Sequence, residues 1–199
     1  MKKVISLFLM LLLCATMVFL ATSCDTEYTI EDFKSKIDAA GNYQISAVNL
    51  LPHFGYVTDT IKIDGNILST QYFSNTVEYW EIVGNVTYQY SQRDDGTWSK
   101  ETSDTQILED FYLLDIEKWM DPSAYEKVED QKNTYQMKSD ALVEYKFGVV
   151  EELPRVANAF MRVEKDSCSI DAIDEERFLI FSWQISKIGE IELTLPAVE

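Results

Sequence analysis

The segment from Thr76 to Lys100 reads TVEYWEIVGNVTYQYSQRDDGTWSK and has the pattern of consecutive antiparallel strands. In its middle part, aromatic or apolar side chains alternate with polar ones, which is the period of a strand with two different faces. Gly84-Asn85 and the Arg93–Gly96 stretch supply turns, because glycine, asparagine and aspartate adopt the backbone conformations that tight turns require. The segment therefore predicts a meander of three strands at Thr76–Val83, Val86–Ser91 and Thr97–Lys100.

The pattern extends toward the N-terminus. Asp64-Gly65 predicts a hairpin, and Leu50 to Tyr56, which contains Pro52 and Gly55, predicts a loop. Ahead of these strands, apolar residues recur at helical spacing after Thr29, which is placed to cap a helix that Gly41 ends. The predicted elements are a helix at Ile30–Ala40 and strands at Tyr43–Asn49, Val57–Ile63 and Asn66–Phe73.

After the meander the period changes. Thr105 to Met120 carries apolar residues over most of a helical circumference without a breaker, which predicts a long, deeply covered helix. The remaining elements are a strand pair at Tyr125–Glu129 and Thr134–Lys138, helices at Asp140–Phe147 and Glu151–Phe160, and strands at Met161–Ile170, Glu176–Ile185 and Glu190–Leu195. The fold class is α+β, predominantly antiparallel β.

The N-terminus has the composition of an export signal. Lys2 and Lys3 precede an apolar run from Val4 to Ala21, and small residues follow before Cys24. The stretch Leu20-Ala21-Thr22-Ser23-Cys24 resembles the lipobox of bacterial lipoproteins. The resemblance implies that residues 1–23 are removed and that Cys24 is acylated, which anchors the protein outside the bacterial cell membrane. An uncleaved membrane anchor and an ordinary secretory signal are the alternatives.

On this interpretation residues 24–28 are the lipidated cysteine and a short tether, and residues 29–199 form a single globular domain. The net charge is −17, and loss of the two signal lysines makes it more negative. Nucleic acid is excluded as a partner because phosphate binding requires lysine and arginine. The charge also disfavours a domain lying flat on an anionic leaflet.

Residues that carry chemistry are scarce. The single histidine, His53, lies in a predicted loop and has a packing or surface role. Once the signal is removed and Cys24 is acylated, Cys168 is the remaining thiol, and we expect it to be a small apolar residue in a strand. A zinc site needs several histidine or cysteine ligands, so no metal, no cofactor and no catalytic residue is predicted. A hydrolase with a carboxylate pair stays open because the chain has 34 acids.

The aromatic residues are the remaining candidates for a site. They are expected either to fill a core or to line a pocket for an apolar ligand between a curved sheet and a helix. The candidates are Tyr79, Tyr88, Tyr90, Phe111, Trp119, Phe181 and Trp183.

The element order is similar to that of a known superfamily. A helix precedes strands that contain Tyr43-Gln44-Ile45, Ile61–Asn66, Tyr79–Ile82, Val86–Tyr90 and Asp95–Trp98, and a long apolar helix follows. This order resembles the half-barrel lipoprotein carriers typified by LolA, LolB and LppX. The resemblance implies a curved antiparallel sheet with helices on its open side and a non-enzymatic function in binding lipid or another apolar ligand. The alternative is an envelope interaction protein with a fully packed core and no small ligand.

Overall fold

A computed structural model describes residues 26–51, 55–71, 76–104, 114–144 and 156–198. The signal segment, Cys24, His53, Phe111 and most of the helix predicted at Thr105–Met120 lie outside the described residues. Within the described ranges, no helix is long and apolar enough to cross a membrane.

The first helix forms as its sequence predicts. Helix α1 spans Ile30–Ala40, and the side chain of Thr29 accepts a hydrogen bond from the backbone N–H of Asp32. Gly41 ends the helix in the left-handed region at φ 68° and donates its N–H to the carbonyl of Ile37. Glycine adopts this conformation without the steric cost that a Cβ imposes. Helix α1 therefore has fixed ends at both its first and its last turn.

The first half of the sheet confirms the predicted meander, with longer strands at its start. The loop predicted at Leu50–Tyr56 is shorter than expected, because the first two strands pair from Asn42↔Asp64 to Leu51↔Gly55. Ladder pairing therefore extends into the predicted loop from both sides, and residues 52–54 lie outside the described residues. The strands are β1 (Asn42–Leu51), β2 (Gly55–Asp64), β3 (Ile67–Gln71), β4 (Val77–Val83), β5 (Val86–Gln92) and β6 (Trp98–Ser103).

The described end of the long predicted helix differs from the prediction. Helix α2 spans only Ile116–Trp119. The side chain of Asp115 accepts a hydrogen bond from the N–H of Lys118 and caps this helix, so a helix cannot run continuously through Asp115. A 3-10 turn at Pro122–Ala124 follows.

The second half of the sheet confirms the predicted strand pair and corrects three other elements. Strand β7 is Tyr125–Lys127 and β8 is Thr134–Met137, and α3 is Ser139–Glu144. The helix predicted at Glu151–Phe160 is wrong at its end, because Asn158 begins a strand that pairs with β8 and with the strand that follows it in the chain. The last strands are β9 (Asn158–Val163), β10 (Cys168–Ile173) and β11 (Leu179–Ser186).

Two of the predicted C-terminal strands are also corrected. Met161–Ile170 is two strands, because the N–H of Glu164 donates to the carbonyl of Ser167 and closes a turn. Glu190–Leu195 alternates in sequence but forms no strand. The N–H of Leu193 donates instead to the carboxylate of Asp64 at 2.9 Å, so a side chain takes the place of a ladder partner.

The described strands form one antiparallel sheet of 11 strands in the order β6-β5-β4-β3-β2-β1-β11-β10-β9-β8-β7. The sheet is not closed: β6 and β7 are its two edges, although they are consecutive along the chain. The first and last strands, β1 and β11, meet in its middle through six paired positions from Gln44↔Ser186 to Asn49↔Phe181.

The two faces of the sheet differ in composition. The core face carries Ile45, Ile61, Leu68, Met161 and Trp183, and its buried cluster draws on every strand except β5 and β6. Tyr79 and Glu81 are adjacent in β4 to a core-face residue and therefore point to the opposite face. Their ladder partners Tyr90 and Tyr88 point to that face as well, and so does Lys100, which pairs with Tyr90. Apolar burial therefore specifies the register over most of the sheet.

Helix α1 lies at one end of the sheet. Its buried Ile30, Phe33 and Ile37 belong to the core cluster. Lys36 contacts the β9–β10 turn through the carbonyl of Lys165 and the carboxylate of Asp166. The helix thus covers the end of the core face where β1 begins.

Candidate functional site

Three of the candidate aromatic residues come together on the core face. The ring of Trp119 stacks on Phe181 with centroids 5.4 Å apart and on Trp183 with centroids 5.7 Å apart. All three side chains are buried, with 3% or less of their surface exposed. They form a stacked aromatic cluster in which α2 is held against β11.

Local bonds fix the position of Trp119. Its backbone carbonyl accepts a hydrogen bond from the hydroxyl of Tyr125 at 2.8 Å, which ties α2 to the first residue of β7. Lys34 of α1 forms an ion pair with Glu117 at 2.5 Å. This pair is solvent-exposed, so its contribution to stability is small.

A polar pair, of which Asn49 is buried and Asp59 half-buried, adjoins this cluster on the core face. Asn49 is paired with Phe181 in the β1–β11 ladder, and its amide Nδ2 donates to the carboxylate of Asp59 at 3.3 Å. Asn49 is 7% exposed, and its Oδ1 has no hydrogen-bond partner in the described part of the chain. An unpartnered buried acceptor costs about 1–3 kcal/mol. The sequence does not indicate this residue, because nothing in NLLPHF distinguishes an inward-facing asparagine.

Cys168 lies in the same core. It is fully buried between its ladder neighbours Val163 and Ile185. Burial raises the pKa of its thiol to about 12, because the thiolate would lose its hydration. A thiol in this environment packs as a small apolar residue and is not a nucleophile.

The other three described candidates occupy the opposite face. Tyr79 and Tyr90 are ladder partners on β4 and β5, and Tyr88 pairs with Glu81 on the same two strands. The hydroxyl of Tyr90 donates to Glu81 Oε2 at 2.8 Å, and Lys100 Nζ donates to the same oxygen at 2.9 Å. The candidates therefore belong to two separate clusters, and Phe111 lies outside the described residues.

The charged groups of this second cluster stabilise each other. The ammonium of Lys100 lies 4.0 Å from the centroid of the Tyr88 ring. Its hydrogen bond, together with that of Tyr90, holds the pKa of the Glu81 carboxyl below its ordinary value. The Tyr90 and Glu81 bonds raise the pKa of Lys100. Trp98 completes the cluster, with its ring edge-to-face with Tyr79 at an interplanar angle of 73° and centroids 5.5 Å apart.

Sequence reasoning missed Glu81, Trp98 and Lys100 as members of the second cluster. The two-residue period places Glu81 with Tyr79, and it places Lys100 with Trp98. Which strands are neighbours, and hence which of these faces meet, becomes visible only from the ladder registers. No group of three or more histidine, cysteine, aspartate or glutamate residues in the described ranges is arranged to hold a metal ion.

No family model matches the chain, and a search of curated proteins finds no match either.

Proposed function

We propose that this chain is an exported lipoprotein, anchored through Cys24 outside a bacterial membrane, whose domain binds a lipid or other apolar ligand without catalysing a reaction. The support is an unclosed antiparallel sheet whose core face carries one buried apolar cluster, which extends from β4 through the two central strands to β7. We further propose that this sheet is curved into a half-barrel, as the resemblance to the lipoprotein carriers implies. A ligand then lies against the core face.

One observation carries the ligand proposal. Asn49 Oδ1 is a buried acceptor without a partner among the described residues, and Asn49 is next to Phe181 on the core face. A ligand that brings a hydroxyl or amide donor would make the missing hydrogen bond and place its hydrocarbon against the aromatic rings. The Nδ2 of the same asparagine already donates to Asp59, so Oδ1 is the atom left for a donor of the ligand. The proposed ligand is therefore an acyl or other apolar chain whose head group carries a hydrogen-bond donor.

The test is retention of lipid by the chain from Asp25 onward. We expect native mass spectrometry and solvent extraction to detect a bound species of this class. Asn49→Leu removes the acceptor and should lose the species, while the free energy of unfolding increases because the unpartnered group is gone. Asn42→Leu is the matched control: it lies on the same strand, and its Oδ1 also lacks a partner in the described part of the chain, but it points to the opposite face.

A second candidate function has its own supporting observation. Trp119, Phe181 and Trp183 pack on one another and leave almost no exposed surface, which favours an envelope interaction protein with a packed core. This alternative predicts no co-purifying lipid with either the parent or the Asn42→Leu chain. That result would overturn the ligand proposal.

The anchor is tested separately in the full chain. Cells fed an alkyne analogue of palmitate should label the parent protein, and Cys24→Ser should abolish the label while Cys168→Ser retains it. Stable attachment requires more than one acyl chain, because one chain binds a membrane only marginally. An unlabelled parent protein in the membrane fraction would favour the uncleaved anchor.

A further inference from the structure

The second aromatic cluster lies on the face that the proposed ligand does not use. Its members come from the three consecutive strands β4, β5 and β6 at one edge of the described sheet. Tyr79, Tyr88 and Trp98 are half-buried, and Tyr90 is buried beneath them. This arrangement is a platform of aromatic side chains, which we call the edge platform, and it is independent of the function proposed for the core face.

The edge platform is rigid because its polar groups hold one another. Glu81 Oε2 accepts from both Tyr90 and Lys100, and the Lys100 ammonium lies over the rings of Tyr88 and Tyr90. Trp98 contacts Tyr79 across the intervening strand β5. Rings fixed in this way lose little further conformational entropy when a ligand stacks on them.

The edge platform also presents polar atoms that the described protein does not use. The hydroxyls of Tyr79 and Tyr88 and the indole N–H of Trp98 make no hydrogen bond to any described residue. Both hydrogen bonds to the Glu81 carboxylate are made to Oε2, so Oε1 can accept a further hydrogen bond. Each ring therefore combines a half-exposed apolar surface with a polar group at its rim.

Size and charge narrow the class of ligand. Three strands about 4.8 Å apart, of seven, seven and six residues, give a surface on the order of 200 Å², well below the roughly 800 Å² that a partner contributes to a standard protein interface. Nucleic acid bases would also stack on aromatic rings, but the chain carries a net charge of −17. Sugars remain, since their C–H faces pack on aromatic rings and their hydroxyls bond to the groups at the rim.

We propose that the edge platform, formed by Tyr79, Tyr88, Trp98, Glu81 and Lys100, is a binding site for a neutral oligosaccharide. The rings of Tyr88 and Trp98 stack with the sugars. Glu81 Oε1 and the free rim groups bond to the sugar hydroxyls. Lys100 compensates the charge of Glu81, so the site is neutral and takes an uncharged glycan.

Trp98 provides a selective reporter of this site. The chain has four tryptophans; Trp80, Trp119 and Trp183 are 4%, 3% and 0% exposed, and Trp98 is half-buried. Acrylamide should therefore quench mainly the emission of Trp98. The full chain is purified in a detergent without a sugar head group and titrated with maltohexaose, cellohexaose or chitohexaose. Binding of any one of them should protect Trp98 from acrylamide, and Trp98→Phe should remove this response.

Calorimetric titration with the hexasaccharide that protects Trp98 locates the site. Tyr88→Ala should weaken binding roughly tenfold, since one aromatic contact contributes on that order. Tyr56→Ala should bind as the parent does; Tyr56 is also on the opposite face and is 55% exposed, but lies at the far end of β2. Tyr88→Phe, which keeps the ring, guards against misfolding and should lose less affinity than Tyr88→Ala. Failure of all three hexasaccharides to bind, or equal weakening by Tyr88→Ala and Tyr56→Ala, would overturn the proposal without affecting the lipid test.

Discussion

Cys168 shows how the environment of one residue determines its reactivity. With a pKa raised to about 12, only about one thiol in ten thousand is ionised at pH 8, compared with roughly a quarter at an ordinary pKa. In the chain from Asp25 onward, where it is the remaining cysteine, we expect no reaction with Ellman's reagent until the protein unfolds. Ile170→Ala opens a cavity beside it and should accelerate the reaction. Stoichiometric labelling of the folded parent within minutes would contradict this prediction.

The pKa of Glu81 is lowered by its two hydrogen-bond donors. Its folded-state pKa lies below the ordinary value, and the hydrogen bond from Lys100 is the largest cause, ahead of that from Tyr90. The folded state thus binds the proton more weakly than the unfolded state does. The contribution of Glu81 to stability is present above the unfolded-state pKa and is lost as the pH falls through the folded-state pKa.

NMR of the side-chain carboxyl carbon can measure which of the two donors lowers the pKa of Glu81 more. Lys100→Met should raise the pKa of Glu81 more than Tyr90→Phe does, because it removes the larger cause. Asp95, whose pKa is lowered by hydrogen bonds from Thr97 in the β5–β6 turn, is the internal reference and should titrate identically in both variants. A larger shift of the Glu81 pKa in Tyr90→Phe would refute the assignment of Lys100 as the main donor.

At the scale of the strand, the sequence of β6 disfavours its pairing with β6 of a second copy of the protein. Two copies that continue the sheet place residues of the same face opposite one another. Five residues of Trp98–Ser103 can pair with the same strand of a second, antiparallel copy in two registers. One register places Lys100 opposite Lys100, and the other places Glu101 opposite Glu101. Like charges directly opposite are destabilising, so each of these registers contains a repulsive pair. Edge strands commonly carry charges for this reason.

Glu101→Thr should therefore promote dimerisation. It removes the repulsion from one register, worth roughly 0.2–1 kcal/mol per opposed pair, and introduces a residue that favours strands. Analytical ultracentrifugation should show concentration-dependent dimers of this variant. Glu176→Thr is the control, because it removes the same charge from the exposed β10–β11 turn. Dimers formed equally by both variants would indicate a general effect of net charge.

Local sequence predicted the strands and α1 but not the limits of several other elements. The alternation from Val86 to Ser91 and the capping residues of α1 act within a few positions, so one sequence is enough to read them. The helix predicted at Thr105–Met120 is interrupted at Asp115, because an acid among apolar residues gives no sign that it will cap a new helix. Glu190–Leu195 has the right alternation but pairs with no strand in the described part of the chain, because strand pairing depends on neighbours that are distant in sequence.

The candidate site was predictable to a similar extent. The aromatic residues were identified by type, and the structure brings three of them together on the core face. Their division between two faces follows from ladder pairs separated by more than a hundred residues, such as Asn49↔Phe181. The same long-range pairing places Asn49 beside the aromatic cluster, which no local pattern indicates.

For the whole molecule, β11 is the link between the two halves of the sheet. It pairs with β1 on one side and β10 on the other, and Phe181, Trp183 and Ile185 are buried on it. A chain that ends after Arg177 lacks this strand and leaves both neighbours with unpaired edges. We expect it to lose cooperative urea unfolding and to aggregate. A chain that ends after Leu195 keeps β11 and should unfold cooperatively, and cooperative unfolding of the shorter chain would contradict this role for β11.

The meeting of β1 and β11 in the middle of the sheet has a consequence for folding. If the chain were joined end to end and opened after Asp104, β7 to β11 would come first and β1 to β6 would follow, so every strand would pair with its neighbour in sequence. The natural order is a circular permutation of this simple meander. In the natural order, the first strand can pair with the last only when both ends of the chain come together. Folding slows as the sequence separation between contacting residues grows. A circular permutant with a linker of about ten residues, enough to span some 30 Å, should therefore refold faster than the natural chain in stopped-flow measurements while forming the same sheet.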